Sequence, residues 1–228
     1  MVVCGAVVCG WLGWVLPTVA LDSDGQDKAQ TSQHDHAHGD GHGSDHAHDG
    51  HGGDADGMDA MMATFMKMAA PGEHHAHLKA LSGRWNAVGK FRMDPSAPFI
   101  ESKSEGVYEW ILGGRFLKQQ VKGEPMMGMP AAFEGFGILG YDNMSHKHTF
   151  VWMDNMGTMT MSGEGECTDA GKVTTYMSKF TDPMSGQESY MKSVYRIEGP
   201  DRYVLEMYSP GPEGKEFLAM ELVNTRKK

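Results

Sequence analysis

The run Gly106-Val107-Tyr108-Glu109-Trp110-Ile111-Leu112-Gly113-Gly114-Arg115-Phe116-Leu117-Lys118-Gln119-Gln120-Val121-Lys122 carries the strongest fold signal in the chain. Two β-prone segments flank a Gly-Gly pair, which a two-residue hairpin turn favours because both central residues can take positive φ. With Gly113 and Gly114 as the loop, Leu112 faces Arg115 and every other pair follows. Glu109 falls opposite Lys118 and Glu105 opposite Lys122, two pairs of opposite sign on one face. On the other face Trp110 meets Leu117, Tyr108 meets Gln119, and Gly106 meets Val121. A slip of one residue would exchange the faces, so the register is well specified.

The strand pattern continues beyond the hairpin. A strand leads from Gly83 to Met93. Others are expected near Ala132–Tyr141, His148–Asp154, Thr158–Glu166, Lys172–Phe180, Gln187–Glu198, Tyr203–Ser209 and Glu216–Thr225. Turn signals such as Asp154-Asn155-Met156-Gly157 and Pro210-Gly211-Pro212-Glu213-Gly214 separate them. Short strands at this spacing mean a sandwich or an up-and-down barrel. Every link is hairpin-like, and Gly135, Gly137 and Gly140 inside one strand permit the coiling that a closed sheet needs. The expectation is an all-β, antiparallel barrel of about 8–10 strands over residues 82–228.

Residues 58–81 precede it. Met58, Met61, Met62, Phe65, Met66 and Ala69 form one helical stripe, with Pro71-Gly72 as the stop. The stripe suits packing on an apolar surface such as a barrel mouth; a thioether site for Cu(I) is the sharper but rarer reading. A short second helix follows, with His75, Leu78 and Leu81 on one face.

Upstream, residues 1–20 are apolar and end in small residues that suit signal-peptidase cleavage before Leu21, although no Lys or Arg precedes the run. The expectation is export to the periplasm or outside the cell, with no stable membrane span once the leader is removed. Residues 21–57 are a low-complexity Asp, Gly and His linker that cannot form a core. Within it His34, His36, His38, His42, His46, His48 and His51 fall close together. Clustered neutral imidazoles are ligands for Zn²⁺, Ni²⁺ and Cu²⁺.

The formal net charge is −10. Residues 22–57 hold most of that charge, so the region expected to fold is near neutral, which argues against a nucleic-acid binder. Only Cys167 lies outside the leader, so the core has no intramolecular disulfide to rely on, and its thiol reads as a small hydrophobe.

His75-x-x-Leu78-x-x-Leu81-x-Gly83-x-Trp85 and Trp110-Ile111-Leu112-Gly113-Gly114-Arg115-Phe116-Leu117 resemble the bacterial domain of unknown function 1579 family. Phe133-Glu134-Gly135-x-Gly137-x-x-Gly140-Tyr141-Asp142-Asn143, Trp152-x-Asp154-Asn155-x-x-Thr158, Asp182-Pro183-x-x-Gly186 and Thr225-Arg226 extend the resemblance. It covers His75 to Arg226 and implies a lipocalin-like (calycin) barrel without implying an activity. It also implies that Arg226, at the end of the last strand, covers Trp85 of the first.

No nucleophile elbow, phosphate-binding loop or dinucleotide fingerprint is present. His146 and His148 share a strand face and could hold a metal with Asp142, although a solvated hairpin rim is the commoner setting for such residues. Asp142 and Asp154, each followed by Asn, read as turn formers. The barrel interior is what remains. Tyr108, Trp110, Leu117, Gln119, Val151, Met153, Met159, Met161 and Met220 are expected to face it, with Leu218 and Leu222. That lining suits either a filled core or a pocket for one small apolar molecule. The leading expectation is therefore a ligand-binding protein with no required cofactor and a metal-binding tail. A metal-buffering protein with the barrel as scaffold is the first alternative. A cofactor-free enzyme acting at the barrel mouth is the second.

Overall fold

In a computed structural model the chain is described over residues 53–126, 130–182 and 185–228. The leader and the histidine tail lie outside the described residues. The rest divides into two compact units at Phe65 and Met66. In the first, Gly53–Phe65 forms most of helix α1 (Gly53–Ala69). The helix begins five residues earlier than the methionine stripe suggests. Met58, Met61, Met62 and Phe65 are all exposed, so the stripe that predicted a packing face forms one that is open to solvent.

The second unit, from Met66, holds α2 (Glu73–His77), a 3₁₀ turn (Leu78–Leu81) and ten strands. These are β1 (Gly83–Phe91), β2 (Ile100–Ile111), β3 (Phe116–Gly123), β4 (Phe133–Asp142), β5 (Lys147–Asp154), β6 (Met161–Thr168), β7 (Val173–Thr181), β8 (Glu188–Gly199), β9 (Arg202–Pro210) and β10 (Glu216–Arg226). Each pairs antiparallel with its chain neighbours, and β1 pairs with β10 to close the barrel. Closure leaves no edge strand to template aggregation.

The β2–β3 register is the one the sequence predicts: Glu109 opposes Lys118, Trp110 opposes Leu117, and Tyr108 opposes Gln119. The turn is wider than two residues. Leu112, Gly113 and Gly114 all have positive φ, and the Gly114 amide donates to the Ile111 carbonyl at 3.1 Å. Leu112 bears the left-handed conformation at an exposed tip. Lys118 pairs with Glu109 at 2.9 Å, but Lys122 reaches Glu134 and Glu105 reaches Lys227. Exposed side chains choose among several neighbours at little energetic difference, so register alone does not fix ion pairs.

In a meander, links alternate between the two ends of the cylinder. Arg226 caps one end. Its guanidinium carbon stands 4.2 Å from the centroid of Trp85, a cation–π contact. The same group donates to the carbonyls of Ser82 (2.7 Å), Ala80 (3.1 Å) and Pro200 (2.8 Å). The Trp85 indole N–H donates to the Leu81 carbonyl at 2.7 Å. Leu78 and Leu81 enter the core from this end beside Trp85 and Tyr203. The expected arginine-over-tryptophan closure is thus present, and every polar atom it buries has a partner.

The inner face of β5 is His148, Phe150 and Trp152. Val151 and Met153, expected to point inward, lie on the opposite face, with Met153 exposed. Phe150-Val151-Trp152-Met153 is apolar in both phases, so alternation does not choose between them. The bulkier indole takes the interior. Gly137 makes room for it, since a Cβ there would stand 2.8 Å from the Trp152 ring and 2.7 Å from the Gln119 amide oxygen; Gly135 also lies under that ring. These glycines serve a close side-chain approach as well as sheet coiling.

Candidate functional site

Two places inside the barrel hold polar groups in unusual settings. The first is the lumen. A cavity of about 130 Å³ is lined from all ten strands. One register row, Tyr108, Gln119, Gly137, Trp152 and Met161, follows from the β2–β3, β3–β4, β4–β5 and β5–β6 pairings, and all but Gly137 line the cavity. Exposed Lys103 and Glu124 in the lining mark its route to the surface, at the end opposite Arg226.

Tyr108, Gln119, Met161 and Met220, expected in the interior, all line this cavity, as does Leu222. Leu117 is fully buried in the core, and Trp110 packs against that core, but neither lines the cavity. Met159, also expected inward, falls in the link before β6, is exposed and does not line the cavity; Leu218 is not in the lining either.

Three tyrosines of the cavity wall, Tyr108, Tyr176 and Tyr195, and Tyr203 in the core beside them carry its polar groups. The Tyr203 hydroxyl donates to that of Tyr108 at 2.9 Å. Tyr195 lies between Tyr176 and Tyr203, with ring centroids 5.7 and 6.2 Å away. Burial raises the pKa of all four phenols, in Tyr176 and Tyr203 well above the usual value. For Tyr195 a hydrogen bond with Gln119 opposes part of that rise. Tyr176 lines the cavity, and its hydroxyl is buried and has no hydrogen-bond partner. Such an orphan costs about 1–3 kcal/mol relative to a satisfied group.

The second place is at the Arg226 end, where α2 meets the β4–β5 hairpin. His74, His77 and His148 each bring a ring nitrogen within 4.8 Å of the others. His148 is buried with both nitrogens unpartnered, and Nδ1 of His77 is buried and unpartnered too. The His77 and His148 rings stack at 5.8 Å, and His74 stacks on Tyr141 at 4.4 Å. Burial, and then the neighbouring His77, His74 and His75, lower the His148 pKa to about 4. The Gly140 backbone opposes this weakly, without reaching hydrogen-bond geometry.

His75 is the contrast within the same helix. Its Nδ1 accepts from the Gly72 amide at 3.1 Å, so it caps α2 and serves structure.

The pairing of His148 with His146 and Asp142 does not form. His146 sits exposed at a positive-φ position in the turn, and Asp142 accepts from the Met144 amide and the Ser145 hydroxyl. Asp154 accepts from the Met156 amide and the Trp152 indole, and burial raises its pKa. Both aspartates form turns, as their sequence context suggests. The signal for His74 and His77 was their i, i+3 spacing in a short helical segment, which sets both rings on one face. Nothing in their neighbourhood of sequence points to His148, more than seventy residues away.

A closed ten-stranded antiparallel meander with a lined lumen defines the class of this protein. Residues 70–226 match the profile of the family described as "Protein of unknown function (DUF1579)", and the chain belongs to that family. No curated protein matches the chain. Among solved structures, the crystal structure of Rv2717c from M. tuberculosis is similar, with a TM-score of 0.49 and 18% identity. The match covers 70% of this chain and 100% of that one.

Proposed function

We propose that the barrel binds one small, mainly apolar molecule that carries a single hydrogen-bonding group. The observation behind this reading is the unpartnered hydroxyl of Tyr176, a residue in the wall of a cavity rich in aromatic and methionine side chains. A cavity of about 130 Å³ is close to the roughly 150 Å³ of an engineered apolar cavity that takes benzene, so a one-ring compound suits it. The polar group of such a compound would meet Tyr176, while Trp152, Phe150 and Met161 cover its apolar face. Tyr108, Gln119 and Met220 complete the binding surface.

Phenol is a suitable probe. It should raise the melting temperature of the full chain and show one-site binding by calorimetry. Ala87→Leu adds bulk to the cavity wall and should abolish both effects while leaving the far-UV circular dichroism spectrum unchanged. An equal response in the variant, or none in the parent, rejects the reading. The seven clustered histidines of residues 34–51 support a second, separate property, the buffering of Zn²⁺, Ni²⁺ or Cu²⁺ by an exported chain. Unchanged metal uptake after their replacement with Asn rejects that one.

A further inference from the structure

We infer that His74, His77 and His148 form a binding site for a divalent transition metal of the zinc class, built into the folded barrel and independent of the lumen and of the histidine tail. The three rings come from two separate elements, α2 and β5, and only the fold brings them together.

Three observations converge on this point. The nitrogens are mutually close, within 4.8 Å. Two of the three rings carry buried nitrogens without any hydrogen-bond partner, both nitrogens of His148 and Nδ1 of His77, and among the described residues the other buried side-chain polar atoms at this end are satisfied. Native proteins rarely leave such atoms orphaned, and an ion is one of the few things that accounts for several at one spot. Finally, the rings are held in place. The β6–β7 link packs on His77 so tightly that a Cβ on Gly171 would stand 2.7 Å from its Cδ2, while the His148 ring stacks on His77. Tyr141 stacks on His74 and lies edge-on to His148 at 5.0 Å.

The donor set selects the metal class. Imidazole nitrogen suits Zn²⁺, Cu²⁺ and Ni²⁺, and not the hard ions Mg²⁺ and Ca²⁺, which take oxygen. Three protein ligands leave one position of a tetrahedron open, toward the solvent side where His74 is exposed. Zn–N bonds of about 2.0–2.1 Å place tetrahedral ligand atoms roughly 3.4 Å apart, so the site must contract. The surface ring of His74 can supply that movement, since it is the least enclosed of the three. Glu73, whose carboxylate lies 3.8 Å from Nε2 of His74, adds a negative charge at the rim. His75 takes no part, because its Nδ1 is already engaged.

The test uses the full chain with the seven tail histidines replaced by Asn, so that any metal bound belongs to the barrel. One equivalent of Zn²⁺ should bind. Co²⁺ in its place should give the strong visible absorption of a tetrahedral ion, and Zn²⁺ should displace it. His74→Ala changes an exposed side chain and should leave the metal-free melting temperature unaltered. It should weaken Zn²⁺ binding by more than the roughly 10–100-fold that follows loss of an outer-shell partner. His77→Gln should do the same. Absence of bound Zn²⁺ in the tail-substituted chain overturns the inference. So does equal Zn²⁺ affinity in the His74→Ala variant.

Discussion

The Arg226 cap and the His148 pocket lie at the same end of the barrel, yet they treat buried polar atoms in opposite ways. Around Arg226 every donor has an acceptor, and the guanidinium joins the first strand, the last strand and the 3₁₀ turn. Beside it, His148 is as deeply buried as Trp85 and has no partner on either nitrogen. The buried Tyr176 hydroxyl resembles the second case. Satisfied polar groups stabilise a fold, whereas orphaned ones cost stability and mark places where something other than folding has shaped the residue.

The largest expected effect tests how dry the lumen is. Burial raises the pKa of Tyr108, Tyr176, Tyr195 and Tyr203, so the unfolded chain loses these protons first as pH rises. Their contribution is complete below pH 10, the ordinary phenol value, and is lost above it. Four such groups reduce stability by about 5 kcal/mol per pH unit there. The last tyrosinate absorbance should therefore appear together with the loss of near-ultraviolet circular dichroism. Full tyrosinate formation in a chain that keeps its native spectrum would mean a wet lumen and break the comparison.

Next is the satisfied cap. Arg226→Ala removes three hydrogen bonds to carbonyls and uncovers Trp85, and should cost about 3 kcal/mol in denaturant unfolding. Arg226→Lys keeps the charge but not the planar fork and should recover less than half of that. A full rescue by lysine would show that charge alone, not the fork, holds the end closed.

How much of this was legible in sequence follows a physical line. The β2–β3 register was readable because turn glycines, charge pairs and apolar alternation all agree on it. The Trp85–Arg226 contact was legible only through family resemblance, since nothing local connects residues so far apart. The phase of β5 was hidden because four consecutive apolar residues satisfy either face, and Gly135 and Gly137, which yield space to Trp152, sit on a different strand. The histidine cluster was hidden for the same reason: its members meet only when β5 and α2 close on one another. The methionine stripe predicted a helix correctly but not what becomes of its apolar face, because periodicity reports amphipathicity and not a partner.

A smaller effect sharpens the contrast from the acid side. The His148 pKa is lowered to about 4. The unfolded chain therefore binds this proton first as pH falls through 6.5, and the folded chain only near 4. The associated stability is complete above pH 6.5 and is lost across that window. The loss should be about 2 kcal/mol, below the full linkage value because protonation can draw the ring toward solvent. Chelator-treated protein should show this slope in its unfolding free energy between pH 6.5 and 4, and His148→Phe should flatten it. An unchanged slope in the variant assigns the acid sensitivity to carboxylates instead.

The smallest effect is the most diagnostic, because its sign opposes ordinary expectation. Removing a hydroxyl from a buried tyrosine usually breaks a hydrogen bond and destabilises. Tyr176→Phe removes a hydroxyl that has no partner, so the ligand-free chain should gain about 1 kcal/mol, read as a higher denaturant midpoint at constant slope. The same change in Tyr203, whose hydroxyl donates to Tyr108, should lose about as much. With phenol as probe, Tyr176→Phe should bind more weakly than the parent while toluene, which has no hydroxyl, binds both alike. A variant that is more stable when empty and poorer only toward the polar probe ties the orphaned hydroxyl to recognition. A destabilised variant would reveal a partner for Tyr176 and move it to the same side of the comparison as Arg226.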